Sequence, residues 1–349
     1  MKIQSRPYGT LPDGKTADIY TMENSKGVSL SVITWGGCIT NLLVPDRKGD
    51  LADVVLAHDS IDGFYENPGS FAAMIGRNSN RIRNSRIEIS GNEYLMTANM
   101  SGHNCHCGSL GLKNRLFDAE VRSLNGHLVL LLSHTIPDLG DELPGALSVS
   151  IAIALSEDNA VMIDYRAVSD KDTIINLTNH SYFNLAGHAN GTVLDHLLEL
   201  DAGFYTPNGA DCIPTGEILR VDGTPFDFRT AKPVGKDIAG DHPQIRLFGG
   251  YDHNFMLNGS NYRKISTLTD PKSGRVMTTF TDLPCVQLFT GNGLPASAPA
   301  KDGADYQKYS GLCLETQTCP NAVEMPWLAS PVYLAGQEYI STTTYQFAW

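Results

Sequence analysis

The sequence contains no continuous apolar run of about 18 residues, the length that an ordinary transmembrane helix needs. Its first segment, Met1–Gly9, reads MKIQSRPYG and has no apolar core of the kind that marks a secretory signal. The seven cysteines are odd in number and scattered along the chain, so we expect reduced thiols rather than a disulfide framework. Together these absences predict a cytoplasmic protein with no membrane partner.

Positive charge is also scarce, because 26 Lys and Arg stand against 38 Asp and Glu, for a net charge of −12. Nucleic acids and anionic membranes attract basic surfaces, so this charge balance argues against both as partners. A neutral small-molecule ligand is more consistent with this net charge. The 349 residues show no low-complexity linker or shift in composition, and we therefore predict one domain over residues 1–349.

Helical periodicity and repeats of 20–50 residues are missing, whereas apolar and polar residues alternate in many short runs. These runs are rich in β-branched and aromatic residues, as strands are: Val28–Ile33, His127–Ser133, Leu147–Ile153, Val161–Val168, Val276–Thr281 and Val286–Thr290. Turn-forming pairs stand between them: Asn125-Gly126, Asp158-Asn159, Asn208-Gly209, Asn258-Gly259 and Ser273-Gly274. The pattern predicts an all-β fold, a large antiparallel β-sandwich with few short helices, in which residues 121–168 form a meander.

Two motifs match the sequence patterns of a nucleotide-binding loop and a metal site, but the surrounding sequence lacks the elements that these sites require. Gly9–Thr16 fits the phosphate-loop pattern G-x-x-x-x-G-K-[ST], but no buried strand precedes it and no helix follows. We interpret Pro12–Gly14 as a turn between two edge strands. His103–Cys107 reads HNCHC and concentrates metal ligands, yet no second cluster has zinc-site spacing, so we predict no metal.

Four segments set polar or titratable groups among apolar residues, and each permits a structural interpretation beside a functional one. They are Ile75–Ile82, Asn104–Gly108, Asn176–Gly187 and Leu312–Gln317. His180 is the one side chain in the third segment whose usual pKa lies near 7. Glu315 is either a buried carboxylate with a purpose or a side chain that alternation turns to water. Gly250–Phe255 and Val286–Asn292 add amide and carboxylate groups at strand ends.

Taken in order, these motifs resemble the aldose 1-epimerase (galactose mutarotase) family. The similarity rests on Ile75–Ile82, Asn179–Leu185, Gly250–Asn254 and Leu314–Gln317, together with the N-terminal stretch from Tyr8 to Gly49. The resemblance implies a galactose mutarotase-like β-supersandwich, no cofactor, and an isomerase acting on a free hexose such as galactose or glucose. It implies Glu315 as general base and His180 as general acid. It also implies contacts to the sugar hydroxyls and ring from Asn80, Arg81, His106, Asp252 and Gln287.

One departure from the family pattern lies at Cys105-His106-Cys107-Gly108, where the family usually has L-H-G-G. A cysteine in place of glycine adds a side chain and disfavours positive φ angles, so we expect Cys107 to change the shape of the pocket.

The implied reaction opens the pyranose ring by removing the O1 proton and protonating the ring oxygen O5. We expect Glu315 and His180 to lie on opposite sides of the ring, with Glu315 ionised and His180 protonated in the resting enzyme. Three alternatives remain: a glycoside hydrolase that pairs Glu315 with Asp252, a noncatalytic sugar-binding module of the same fold, and an epimerase-like relative that acts on a hexose phosphate. The oligomeric state is predicted as a monomer or weak dimer.

Overall fold

The computed structural model describes residues 2–124, 127–294 and 300–349, and strands dominate it. The strands are β1 (Lys2–Thr10), β2 (Thr16–Glu23), β3 (Ser29–Ile33), β4 (Ile39–Pro45), β5 (Leu51–Asp53), β6 (Met74–Ile75), β7 (Arg81–Ile82), β8 (Arg86–Ile89), β9 (Asn92–Leu95), β10 (Asn104–Cys105), β11 (Asp118–Leu124), β12 (His127–Ile136), β13 (Leu147–Leu155), β14 (Ala160–Ser169), β15 (Thr173–Ile174), β16 (Thr178–Asn179), β17 (Leu197–Leu200), β18 (Ala202–Thr206), β19 (Leu219–Arg220), β20 (Lys232–Pro233), β21 (Asp252–Leu257), β22 (Arg263–Thr269), β23 (Val276–Thr281), β24 (Cys285–Phe289), β25 (Cys313–Gln317), β26 (Val332–Tyr333) and β27 (Glu338–Ala348). The described residues contain two α-helices of six residues each, α1 (Ile61–Glu66) and α2 (Pro243–Phe248), and short 3₁₀ turns. The predicted all-β class with few short helices is confirmed. The described part of the chain has no helix long and apolar enough to span a membrane.

The largest sheet has nine antiparallel strands in the order β11-β12-β13-β14-β27-β23-β22-β17-β20. Its first four strands are the meander predicted for residues 121–168, although the predicted turn Asn125-Gly126 lies outside the described residues. The chain's last strand, β27, pairs with β14 on one side and β23 on the other, and so joins the two halves of the sheet.

Two five-stranded antiparallel sheets complete the larger layers, β1-β2-β3-β4-β5 and β19-β18-β21-β24-β25. The turn predicted at Pro12–Gly14 does join β1 and β2. The prediction that both are edge strands is wrong for β2, because β2 also pairs with β3. A turn motif identifies neighbouring strands but carries no information about what pairs on the far side.

A single hydrophobic cluster draws buried side chains from all three large sheets, for example Val32 of β3, Ile151 of β13 and Leu288 of β24. Burying each such side chain contributes about 1.5–3 kcal/mol relative to leaving it in water. This shared core supports the single-domain interpretation of residues 1–349, which stays a prediction. The antiparallel β-supersandwich is confirmed.

Arg77, which shares the segment Ile75–Ile82 with Arg81, has a structural role. Its guanidinium is fully buried and donates from Nε to Asp141 at 3.0 Å, while Nη2 lies 2.9 Å from the other carboxylate oxygen. Nη1 donates to the Pro144 carbonyl at 2.6 Å and to the Thr173 hydroxyl at 3.1 Å. Because every one of these partners belongs to the framework, the structural interpretation holds for Arg77.

We expect Asp141→Asn to lower the free energy of unfolding by about 3–5 kcal/mol, because it leaves a buried guanidinium without its counter-charge. Urea unfolding measures this loss as a lower midpoint concentration, with an unchanged slope of the unfolding free energy against urea concentration. Glu338→Gln is the matched control, since it removes a carboxylate from the solvent-exposed pair with Arg166 and should change the midpoint little. Equal, small shifts in both variants would contradict a structural role for the buried pair.

Candidate active site

Strands β21, β24 and β25 form one wall of the site. Their antiparallel register sets Asn254, Gln287 and Glu315 side by side in one row across the three strands. Side chains two residues apart on a strand point to the same face, so Asp252 projects from the same side as this row. The sheet thus gathers acidic and amide groups from three separate segments between Asp252 and Glu315.

The facing wall comes from short strands whose ends carry the basic side chains. His180 directly follows β16, and its backbone is fixed on both sides: its N–H donates to Ala73 and its carbonyl accepts from Ala72, each at 2.9 Å. Arg81 of β7 pairs with Cys105 of β10, which places His106 beside it at the end of that strand. These hydrogen bonds hold the imidazole and guanidinium groups on ordered backbone rather than on free loops.

All seven residues predicted for the site line one cavity of about 200 Å³: Asn80, Arg81, His106, His180, Asp252, Gln287 and Glu315. Sequence reasoning missed further lining side chains, among them Ser70, Met100, Cys105, Tyr182 and Phe289. Phe289 carried a usable signal, because it lies two residues after Gln287 on the same strand and therefore on the same face. Ser70 and Met100 lie in segments with no local motif.

Glu315 and His180 are in contact within the cavity. His180 Nε2 lies 3.7 Å from Glu315 Oε2, and both side chains are almost fully buried. Glu315 Oε2 is inaccessible to solvent and has no hydrogen-bond partner among the described residues. Groups this close can both reach O1 and O5, which are bonded to the same carbon, and the expected placement on opposite sides of the ring stays a prediction.

Burial sets the protonation of this pair. It lowers the pKa of His180 to about 4, and it raises the pKa of Glu315 to about 8, with a further contribution from the charge of Asp252. Between these values the pair holds one proton, and burial favours its residence on the carboxyl group. Removal from water disfavours both charges, which argues against an ionised Glu315 beside a protonated His180 in the resting site, and that expectation stays a prediction.

Arg81, Asp252 and Gln287 form a second group of charges and amides. Arg81 Nη2 donates to Asp252 Oδ2 at 2.6 Å, and Gln287 Nε2 donates to Asp252 Oδ1 at 2.6 Å. Burial alone would raise the pKa of Asp252, but the Arg81 charge and these hydrogen bonds lower it below its usual value. Both oxygens of the ionised Asp252 accept from protein donors, and this engagement, rather than its charge, disfavours Asp252 as the nucleophile or base of a hydrolase.

His106 is fixed as a hydrogen-bond donor. Its Nδ1 accepts the backbone N–H of Asn80 at 3.1 Å, and burial holds the pKa of the ring well below its usual value. A neutral ring that accepts at Nδ1 carries its hydrogen on Nε2. That hydrogen is available to a sugar oxygen.

The ligand atoms of His106, His180 and Glu315 lie within 4.8 Å of one another, as a metal site would need. A metal would bind an unprotonated ring nitrogen, and the one that His106 has is engaged with the backbone. The cluster HNCHC does not converge on this group through its cysteines. The donor set therefore suits a hydroxyl better than a cation.

Cys107 adopts a left-handed conformation with φ of +54°, although a side chain disfavours positive φ angles. The conformation costs about 1–2 kcal/mol. Its side chain is buried in a small cluster with Ile82 and Ile87, where Sγ accepts the N–H of Asn78 at 3.3 Å. Cys105 lines the cavity and Cys107 does not, and the effect of Cys107 on the shape of the pocket stays a prediction.

Comparisons with known proteins agree with this geometry. The family model described as aldose 1-epimerase matches residues 18–346. The galactose mutarotase of Mus musculus is 38% identical over 343 residues, which cover 98% of this chain and 97% of that protein. The aldose 1-epimerase of Haemophilus influenzae is 33% identical over 341 residues, covering 96% of this chain and 97% of that protein.

Solved structures show the same fold. The crystal structure of galactose 1-epimerase from Lactobacillus acidophilus NCFM matches with a TM-score of 0.87 at 25% identity, over 99% of this chain and 98% of that chain. Both the sequence match and the fold extend over nearly the whole length. The chain belongs to the aldose 1-epimerase family.

Proposed function

We propose that this protein interconverts the α and β anomers of a free hexose, with Glu315 and His180 as its acid–base pair. The observation that carries the proposal is Glu315 Oε2, a buried carboxylate oxygen without a hydrogen-bond partner among the described residues, 3.7 Å from an imidazole nitrogen. Leaving such an oxygen unpaired costs on the order of 1–3 kcal/mol or more. A substrate hydroxyl that enters the cavity supplies the missing partner.

Ring opening requires one proton to leave O1 and one to arrive at O5. Glu315 removes the O1 proton while His180 Nε2 donates to O5, and the C1–O5 bond breaks as C1 becomes a carbonyl. After rotation about C1–C2 the two groups reverse their roles, and O5 attacks the other face of C1. The reaction conserves all atoms and electrons and needs no cofactor, metal or covalent intermediate.

Burial favours the uncharged form of the acid–base pair. Before ring opening the reactive pair is Glu315 carboxylate and His180 imidazolium; afterwards both groups are neutral. The neutral arrangement is the one that burial favours, because it leaves no charge in a site removed from water. Because burial favours the uncharged pair beside the ring as well, it does not lower the free energy of the open chain relative to the ring.

The remaining side chains hold the sugar during rotation about C1–C2. We propose that Arg81, His106 and Asp252 bind hydroxyl groups, with Asn80 and Gln287 completing the contacts. A cavity of about 200 Å³ is smaller than the roughly 300–1,000 Å³ of drug-sized ligand sites, which favours a monosaccharide. Galactose and glucose are the proposed substrates, since relatives are named galactose mutarotase.

We also propose a cytoplasmic monomer or weak dimer without nucleic-acid or membrane partners. The net charge of −12 supports the absence of nucleic-acid and anionic-membrane partners. A noncatalytic sugar-binding module is the second candidate, but such a module gains nothing from a buried carboxylate of raised pKa beside an imidazole.

The proposal is tested by the optical rotation of freshly dissolved α-D-galactose and α-D-glucose. We expect the protein to speed the approach to anomeric equilibrium well above buffer. Sugar binding without faster mutarotation would support the binding module, and cleavage of an aryl galactoside would support the hydrolase. Either outcome would overturn the proposed reaction.

The pH dependence of kcat/KM should be a bell with a plateau between about pH 4 and pH 8, because one proton on the pair is the active state. Below the acid limb the pair gains a second proton and has no base. Above the alkaline limb it loses its proton and has no acid. Initial rates corrected for buffer catalysis measure the limbs, and an acid limb near pH 6.5 would contradict a desolvated His180.

A further inference from the structure

Gln317 lies beneath the sugar-binding side of the site. It follows Glu315 by two residues on β25, so the two side chains point to the same face of the strand. Gln317 is fully buried, and among the described residues it is not part of the cavity wall. Its amide therefore acts on other protein groups rather than on a ligand.

The amide of Gln317 makes three hydrogen bonds to other side-chain amides. Its Oε1 accepts from Asn80 Nδ2 at 3.3 Å, and its Nε2 donates to Asn254 Oδ1 at 3.0 Å and to Gln287 Oε1 at 3.3 Å. Each partner is an amide, whose oxygen and nitrogen ends are nearly equal in size but opposite in hydrogen-bonding character. Gln317 consequently determines which end of Gln287 and of Asn80 faces which neighbour.

The direction of the Gln287 amide matters for Asp252. With its oxygen turned to Gln317, Gln287 offers Nε2 to Asp252 Oδ1 at 2.6 Å, and the other carboxylate oxygen accepts from Arg81. A flipped Gln287 would set its oxygen against the carboxylate, which is repulsive. Gln317 thus orients the ion pair through one intermediate residue.

A similar connection runs through Asn80. With Nδ2 bound to Gln317, its Oδ1 accepts the backbone N–H of Arg81 at 3.0 Å, and its own backbone N–H donates to His106. All five predicted sugar contacts therefore connect to Gln317 directly or through one or two hydrogen bonds. Glu315 and His180 share no hydrogen bond with it in the described chain.

We propose that Gln317 is a positioning residue that orients the sugar-binding groups without taking part in proton transfer. The inference rests on the proposed mutarotase function. It follows that loss of the Gln317 donors weakens binding of the ring and of the open chain alike. Such a change raises KM, whereas kcat and the pH limbs of the acid–base pair stay where they are.

The test compares Gln317→Glu with wild type in the mutarotation assay on α-D-galactose. The substitution keeps the shape but replaces the Nε2 donor by an acceptor, so Asn254 and Gln287 lose their partner. We expect KM to rise at least tenfold, kcat to stay within about threefold, and both pH limbs to remain in place. Gln317→Met, which removes the donors without adding a charge, should show the same rise in KM with little change in kcat.

Asn24→Asp is the matched control. Asn24 is also a buried amide, and it donates to Ser156 and Asn159 far from the cavity, so its replacement should lower stability without moving KM. The inference would be overturned if KM were unchanged in both Gln317 variants, or if only kcat fell. It would also be overturned if neither variant folded, and Gln317 would then have a structural role only. An inactive wild type would instead overturn the proposed function.

Discussion

Replacing Glu315 by Gln should lower kcat for mutarotation by about 10³–10⁴-fold, near the limit of what one positioned base contributes. The amide fills the same volume and still accepts a hydrogen bond from the sugar, but it cannot take the O1 proton. KM should change by less than about threefold, because the hydroxyl contacts on the opposite wall remain. Initial rates of optical rotation over a range of galactose concentrations separate the two parameters.

Stability provides the control for this variant. The pKa of Glu315 is raised from 4.5 to about 8, so the folded protein binds the proton more tightly than the unfolded chain does. The stability contribution of the protonated carboxyl is fully present below pH 4.5 and is lost as pH rises through 8. Gln does not titrate, so Glu315→Gln should be more stable than wild type at pH 8, by an amount on the order of a few kcal/mol.

That gain should vanish below about pH 4.5, where the carboxyl is protonated in both states. Thermal unfolding of the variant and of wild type at pH 4 and pH 8 measures this difference in stability. A variant that is inactive but more stable than wild type has lost a catalytic group and kept its fold. Retained activity, or an unfolding midpoint below that of wild type at pH 8, would contradict the role given to Glu315.

Replacing His180 by Asn should lower kcat by about 10²–10⁴-fold, since the amide can hydrogen-bond to O5 but cannot transfer a proton to it. His180 packs against the Tyr182 ring at a centroid distance of 5.0 Å, so the smaller side chain also loosens the wall behind O5. The acid limb of the pH profile near pH 4 should disappear with the imidazole.

His134→Asn is the matched control for that variant. His134 is a half-buried histidine of β12 whose Nδ1 lies 3.1 Å from the Leu116 carbonyl, and it does not line the cavity. Its replacement should leave kcat, KM and both limbs unchanged. If His180→Asn kept the wild-type kcat, another group would have to protonate O5 and the assignment of the acid would fail.

The two arginines of Ile75–Ile82 illustrate how far local sequence can reach. They are four residues apart in similar surroundings, and the sequence leaves a structural and a functional interpretation open for both. The partner of Arg77 is Asp141, 64 residues away, and that of Arg81 is Asp252, 171 residues away. Because only the folded chain brings these carboxylates to them, one arginine belongs to the framework and the other to the cavity.

Alternation likewise left the direction of Glu315 undecided. All five residues of β25 are buried, since the strand is covered on both faces, so a period of two could not distinguish the core face from the face toward the site. The register with β24 settles the matter, because it sets Glu315 opposite Gln287. Cys107 shows the same limit for the backbone: its neighbours hold it at a positive φ that its side chain alone disfavours.

Local alternation in the sequence predicted the all-β antiparallel class and several of the strands, and motifs in a fixed order predicted the family and the seven polar residues that line the cavity. The tertiary structure decided which acidic group stays unpaired, how deeply the acid–base pair is buried, and which amides bond to one another beneath the cavity. These properties depend on burial and on partners distant in sequence. Desolvation, which no short segment encodes, shifts the pKa values of Glu315 and His180 in opposite directions.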